Sequence, residues 1–172
     1  TVRAATGPIP RIVEVADKYA RDNGIPAGRQ AQYAEVDEQR AERIAQAYAE
    51  MEHNPSDPAV KEAYDDLVRQ TIAQYEALVE AGYQFYFIDI NSDAGVEYVA
   101  SPYNAMRELR ADQRMGVFPT NEGFGTLDVD VNDNPLLATT QYQWPFGSPD
   151  GELRPVTAND LFRAVHDALG HG

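Results

Sequence analysis

Apolar residues at helical spacing predict three helices in the first half of the chain. The first spans residues 10–23, and Gly24 follows it as a stop signal. The second spans residues 37–53, and the third spans residues 58–81 with Gly82 after it. Because few residues separate the second and third segments, we expect an antiparallel helical hairpin over residues 37–81.

The period of the apolar pattern changes after Gly82. Residues 84–90, with the sequence QFYFIDI, are aromatic and β-branched and predict a buried strand, with residues 96–99 as a pairing partner. A further helix is expected from Ser101 to about residue 113, and a short strand over residues 115–120. Residues 121–155 are rich in turn residues, with one strand expected at residues 136–143. The last helix opens at Thr157 with a capping-box pattern.

Together these elements predict an α+β fold. It consists of N-terminal helices, a long helical hairpin packed on a small mixed sheet, and a C-terminal helix that carries the motif described below. We divide the chain into an N-terminal helix and linker over residues 1–35 and an α+β domain over residues 36–172, which together form one compact unit. Five residues are expected in the core: Leu67, Ile72, Leu78, Phe85 and Phe87.

Charge and the lack of cysteine restrict the function classes. The chain has 28 acidic and 14 basic residues and a formal net charge of -14, which disfavours binding to nucleic acid or to an anionic membrane. No apolar run is long enough for a transmembrane helix, and the first residues predict no signal peptide. With no cysteine, a metal site must use His, Asp, Glu or carbonyl oxygens. The chain has three histidines: His53, His166 and His171.

The C-terminal helix, NDLFRAVHDALGHG, places His166 and His171 five residues apart, with Asp167 beside the first. Neutral imidazole is the commonest metal ligand near pH 7. Positions five apart on a regular α-helix point about 140° apart, so we expect a π-type turn near Gly170 to bring both rings to one ion. The spacing differs from the His-Glu-x-x-His zinc protease motif. Candidates for a carboxylate ligand are Asp167, Asp89, Asp93 and Glu97.

The same two histidines have a plain structural interpretation. His166 can be a packed core residue, and His171 can complement the helix dipole at the C-terminal end. In the metal interpretation we also expect His166 on the buried side of the helix. Because metal-binding histidines have their second ring nitrogen fixed, we expect an Asp or Glu from residues 89–97 to hold it. Both interpretations remain open at this point.

A second acidic segment, residues 128–133 with the sequence DVDVND, has the oxygen spacing of the start of a calcium loop. It lacks the glycine at the sixth position and the glutamate at the twelfth that such a loop uses. We therefore interpret it as a turn held by Asp and Asn side chains.

The His-acid-x-x-Gly-His pattern resembles the iron-binding helix of the aromatic amino acid hydroxylases, which carries His-Glu-Leu-Leu-Gly-His. That resemblance implies that His166 and His171 are metal ligands. Asp167 stands where that family has Glu, and no Val-Pro follows the second histidine. The metal implied is iron, and zinc is the alternative that suits a hydrolytic site.

A longer resemblance covers residues 53–172. The segments NPSDPAVKEAYDDLVRQTIAQYEALVEAGYQFYF, GVFPTNEGFG, NPLL and NDLFRAVHDALGHG resemble domains of bacteriophage-encoded virion-associated or polyvalent proteins. The resemblance implies a phage origin, other phage or virion proteins as partners, and a location in the virion or the host cytoplasm. In that family the chain continues with an acidic segment and a further histidine, so we expect more of the metal site to lie downstream.

Two functions follow as hypotheses. The first is a phage-derived domain with a two-histidine divalent-metal site formed by His166, His171 and Asp167, as part of a non-haem iron or zinc enzyme. The second is a non-catalytic, acidic structural or protein-interaction module of a virion. Metal content and the effect of His166→Ala distinguish the two.

Overall fold

A computed structural model describes residues 7–26, 35–123 and 134–172. Helices and two small strand pairs alternate along the chain, and the predicted α+β fold class is confirmed. The elements are α1 (Pro10–Asp22), α2 (Glu38–Glu50), α3 (Pro58–Glu80), β1 (Gln84–Phe87), α4 (Asp93–Val99), α5 (Tyr103–Asp112), β2 (Arg114–Val117), α6 (Thr120–Gly123), a 3-10 turn (Pro135–Leu137), β3 (Thr139–Pro145), β4 (Leu153–Thr157) and α7 (Ala158–His171).

The long helix α3 forms one side of the core. Asp57 caps it by accepting a hydrogen bond from the Ala59 amide at 2.8 Å, and Pro58 occupies the first turn. Its buried face packs against α1 and α7. By contrast, α2 has no buried residue. Of the expected hairpin, α3 is therefore the arm that enters the core.

A parallel strand pair follows α3. β1 and β2 pair in register from Gln84–Arg114 to Phe87–Val117, and α4 and α5 form the crossover between them. The prediction of a strand at residues 96–99 was wrong, because those residues belong to α4. The Ser92 hydroxyl accepts a hydrogen bond from the Gly95 amide at 3.0 Å and so caps that helix, which the apolar residues alone did not indicate.

The second strand pair is antiparallel and joins the first through one bridge. β3 pairs with β4, and the bridge between Phe87 and Phe146 places β3 beside β1. The Gly147 amide donates to the Phe87 carbonyl at 2.8 Å. The strands thus form two small two-stranded sheets, one parallel and one antiparallel, linked by this bridge, where the sequence predicted one small mixed sheet. β4 itself was not predicted, because Pro155 interrupts a short segment that begins with exposed residues.

The core lies between α3, α7 and the strands. Trp144 packs against Tyr75, Phe85 and Phe87, with ring centroids 5.1–5.9 Å apart. Its indole N–H donates to the Tyr75 hydroxyl at 2.9 Å. Of the expected core residues, Leu78, Phe85 and Phe87 are buried, whereas Leu67 and Ile72 are half-buried. Within the described residues, no helix is both long and apolar enough to cross a membrane.

Candidate metal centre

The position of α7 is fixed at its first turn by a buried carboxylate. Asp160, only 2% exposed, accepts hydrogen bonds on one oxygen from the Thr120 amide (2.8 Å) and hydroxyl (2.6 Å). Its other oxygen accepts from the Thr157 amide (2.8 Å) and hydroxyl (2.7 Å). The predicted capping box between Thr157 and Asp160 is confirmed. This network joins the start of α7 to the start of α6.

One face of α7 is packed and the other carries the motif. The buried face contacts α3, β2 and β4 and recurs at helical spacing. The packed residues of this face are Leu161, Ala164, Val165 and Ala168. His166 and His171 lie on the exposed face, and the Asp167 side chain is 50% exposed. A rigid helix therefore presents these three side chains to solvent.

His166, Asp167 and His171 come together in space. Each offers one ligand atom such that the three atoms lie within 4.8 Å of one another. His166 Nδ1 lies 3.0 Å from Asp167 Oδ1, and the two imidazole centroids are 5.1 Å apart with the rings nearly perpendicular. Of the four carboxylates considered from the sequence, Asp167 is the one placed beside the histidines.

Three details of the motif prediction were wrong. His166 is not on the buried side of α7, because its side chain is 58% exposed. Its carboxylate partner is the adjacent Asp167 rather than a residue between 89 and 97. The helix continues without a π-type turn to His171.

The rings meet without helix distortion for two geometric reasons. Two χ angles orient each imidazole, and the side-chain conformations turn the rings towards each other, with their centroids 5.1 Å apart. Position 170 also leaves room for both rings, because even a Cβ placed at Gly170 would meet nothing within 4 Å. The angle of about 140° between positions five apart therefore overestimates the separation of the two imidazoles.

The donor set fits a divalent transition metal. Donors of a tetrahedral zinc site with bonds of about 2.0–2.1 Å lie about 3.4 Å apart. The three ligand atoms, within 4.8 Å of one another, must close by roughly 1.4 Å at most to reach that spacing. Rotation about side-chain bonds suffices for this, since the three groups are solvent-exposed. Two imidazoles and one carboxylate are the ligands typical of non-haem iron, and zinc accepts the same set.

Asp167 has two chemical roles open to it at this distance. As a ligand, it supplies the carboxylate oxygen of the set. As a hydrogen-bond acceptor, it holds the proton on His166 Nδ1 and leaves Nε2 free for the metal. Either role removes one degree of freedom from the His166 ring.

Two neighbouring residues on α7 were missed by sequence analysis. The Phe162 ring lies 6.3 Å from the His166 ring at an interplanar angle of 24°, which limits the orientations of that imidazole. Arg163 donates from its guanidinium to the Phe118 carbonyl at 2.9 Å. Both stand four residues before a member of the site, His166 or Asp167. The i, i+4 rule for helix faces is the signal that could have found them.

The other histidine and the acidic segment do not contribute to this centre. His53 lies exposed beyond the end of α2. Residues 128–133, interpreted above as a turn, lie outside the described residues.

Comparisons of the chain with protein-family models, curated proteins and solved structures found no match.

Proposed function

We propose that His166, His171 and Asp167 bind one divalent metal ion, iron or zinc, and that the chain is a phage-derived domain of a non-haem iron or zinc enzyme. The observation that supports this most is the convergence of three ligand atoms within 4.8 Å on one helix. The bacteriophage resemblance of residues 53–172 supports the phage origin. With it come other phage or virion proteins as partners and the virion or host cytoplasm as the location.

The residues around the ion determine what such a site does. Three protein ligands leave coordination positions open to water or substrate, which is the arrangement of catalytic rather than structural sites. A metal bound there would act as a Lewis acid on a water or substrate oxygen. His166 and His171 ligate only as neutral imidazoles, so protons compete with the metal as the pH falls.

A second function is favoured by the surface of α2. Ile44 and Tyr48, four residues apart on this helix, are 59% and 77% exposed. Met51, directly after the last helical residue, is 68% exposed. An exposed apolar stripe on a helix with no buried residue is typical of an interaction surface. The alternative function is therefore a non-catalytic, acidic virion structural or protein-interaction module.

Calorimetric titration of the metal-free protein with Zn²⁺ at neutral pH tests the metal proposal. We expect one equivalent to bind and the affinity to fall by more than about tenfold in His166→Ala, in His171→Ala and in Asp167→Asn. His53→Ala is the matched control, because this third histidine is exposed and distant in the chain.

The His53→Ala control also distinguishes Zn²⁺ binding at the site from nonspecific binding to the acidic surface. A net charge of -14 attracts divalent cations weakly and without stoichiometry. Equal Zn²⁺ binding by the wild type and by the two site histidine variants would refute the metal centre. The interaction-module function would then be the better supported of the two.

A further inference from the structure

A cleft of about 260 Å³ opens beside the candidate metal centre. Its wall is mostly apolar and includes Ile88, Val117 and Phe118. Two of the residues that line it are charged, Arg163 and Asp167. Asp167 thus belongs both to the cleft and to the group of three ligand side chains.

Arg163 is held in place at the cleft. Its guanidinium donates to the Phe118 carbonyl at 2.9 Å and lies 5.8 Å from the centre of the Phe118 ring. A guanidinium has five N–H donors in a planar fork, so one hydrogen bond to the backbone leaves several for a ligand. Among the residues that the structure describes, no carboxylate forms an ion pair with Arg163.

The composition of the cleft selects a class of ligand. A planar guanidinium suits a carboxylate because the two groups form paired hydrogen bonds. The apolar wall suits a hydrocarbon body. A single cation in a chain of net charge -14 disfavours polyanions such as nucleotides. The volume is below the range of about 300–1,000 Å³ typical of drug-sized ligands, so the ligand is small.

We infer that this cleft binds a small monocarboxylate with an apolar body, whose carboxylate pairs with Arg163 while the body contacts Val117 and Phe118. The inference rests on the proposed function in one respect: the bound molecule is the substrate of the adjacent metal centre. Because Asp167 carries a negative charge at the edge of the cleft, a bound metal ion removes part of its repulsion of the ligand. Metal and monocarboxylate therefore strengthen each other's binding reciprocally.

Phenylacetate is the probe, and 2-phenylethanol is the uncharged control with a similar aromatic body. Each is titrated into the protein with and without Zn²⁺, and backbone amide shifts are followed by NMR. We expect phenylacetate to shift the amides of Val117, Phe118 and Arg163 and to bind more tightly when Zn²⁺ is present. 2-Phenylethanol is expected to bind at least about tenfold more weakly than phenylacetate.

Arg163→Gln tests the role of the cation. We expect phenylacetate affinity to fall about ten- to hundredfold, the range for loss of a charged hydrogen-bond partner, with Zn²⁺ affinity retained. Arg69→Gln is the matched control, because that side chain is 68% exposed on α3 and outside the cleft. Thermal unfolding of both variants verifies that Arg163→Gln remains folded; if it does not, Arg163→Lys keeps the charge but not the fork and is expected to show an intermediate loss.

The outcomes separate this inference from the proposed function. If Zn²⁺ binds but phenylacetate shifts no cleft amide, or binds the wild type and Arg163→Gln equally, the cleft inference is overturned and the metal centre stands. If Zn²⁺ does not bind, the proposed function fails, and the titration of the metal-free protein decides the cleft alone. Phenylacetate shifts that Arg163→Gln abolishes would then support an anion-binding cleft, and their absence would overturn it.

Discussion

Asp160 illustrates how one residue determines where the candidate centre lies. Its two carboxylate oxygens accept four hydrogen bonds from Thr120 and Thr157 while the residue is 2% exposed. A buried carboxylate is stable only when its lone pairs are satisfied in this way. The position and direction of α7, and with them the motif on its far face, depend on this contact.

Replacing this carboxylate by an amide is expected to destabilise the fold. In Asp160→Asn, one oxygen becomes an NH₂ group that faces a backbone N–H, so at least the hydrogen bond from that backbone amide is lost, together with the charge that strengthens the others. We expect the free energy of unfolding to fall by about 2–4 kcal/mol, measured by chemical denaturation. Asp66→Asn is the control, since that side chain is 59% exposed, and its change should stay within about 0.5 kcal/mol. Equal effects of the two substitutions would contradict the role assigned to Asp160.

The motif prediction identified the residues of the site but not the surroundings of His166. The sequence indicated His166, His171 and Asp167 as a set, and the structure brings their ligand atoms within 4.8 Å. The burial of His166 and the identity of its partner were mispredicted. Both depend on which face of α7 meets α3, and Leu161, Val165 and Ala168 take that face instead. The packing of these apolar residues against α3 therefore determines that His166 lies on the exposed face of α7.

At the scale of elements, Gly170 is a direct test of how α7 brings the histidines together. The helix is regular through this residue, and a Cβ placed there meets nothing within 4 Å. Gly170→Ala is therefore expected to stabilise the protein by about 0.5–1 kcal/mol, because alanine loses less backbone entropy in a helix. Zn²⁺ affinity is expected to be unchanged.

The opposite result would support the distorted helix that the five-residue spacing suggests. If a π-type turn were needed for metal binding, alanine at position 170 would oppose it and weaken Zn²⁺ binding. Gly95→Ala is the contrasting variant, since its Cβ would overlap the Asp89 carbonyl. We expect that substitution to destabilise the fold by about 1–3 kcal/mol.

Helices with clear capping and stop residues could be predicted from the sequence, whereas elements that depend on tertiary contacts could not. α3 carries a capping aspartate, an N-terminal proline and a following glycine, and its bounds match the prediction closely. Residues 96–99 have the composition of a strand, but a serine cap and a short connection make them helical. β4 forms because β3 pairs with it. The sequence of residues 153–157 does not by itself predict this pairing.

At the scale of the whole molecule, two half-buried tyrosines, Tyr86 on β1 and Tyr98 on α4, link the stability of the fold to alkaline pH. Burial raises the pKa of Tyr86 to about 12, and the nearby Glu108 carboxylate adds to the effect. Burial also raises the pKa of Tyr98. Since the folded state favours the neutral phenols, their contribution to stability is complete below the unfolded value of 10.0. That contribution is lost as the pH rises towards about 12.

The free energy of unfolding is therefore expected to decrease between about pH 10 and pH 12, as measured by denaturant titration at several pH values. In Tyr86→Phe this decrease should be shallower, because one of the tyrosines with a raised pKa is gone. Tyr103→Phe is the matched control, as that residue is 75% exposed, and it should keep the wild-type slope. A wild-type slope in Tyr86→Phe would exclude the linkage.

Because the whole chain is acidic, specific metal binding must be distinguished from nonspecific binding of cations to the surface. With a net charge of -14, weak association of cations with surface carboxylates is expected at any composition of the C-terminal helix. Stoichiometric binding that involves two specific histidines and spares the third is what distinguishes a coordination site from this background. His166 and His171 therefore report on coordination at the site, and His53 reports on nonspecific binding.

The most direct test is an NMR titration of the imidazole ring nitrogens with Zn²⁺ at neutral pH. The account predicts that resonances of His166 and His171 change together and saturate at one equivalent, while those of His53 stay unchanged. It also predicts that each of the two site histidines shows one ring nitrogen with the shift of a metal-bound atom. Unchanged His166 and His171 resonances, or a gradual and equal change in all three histidines, would contradict a metal centre on this helix.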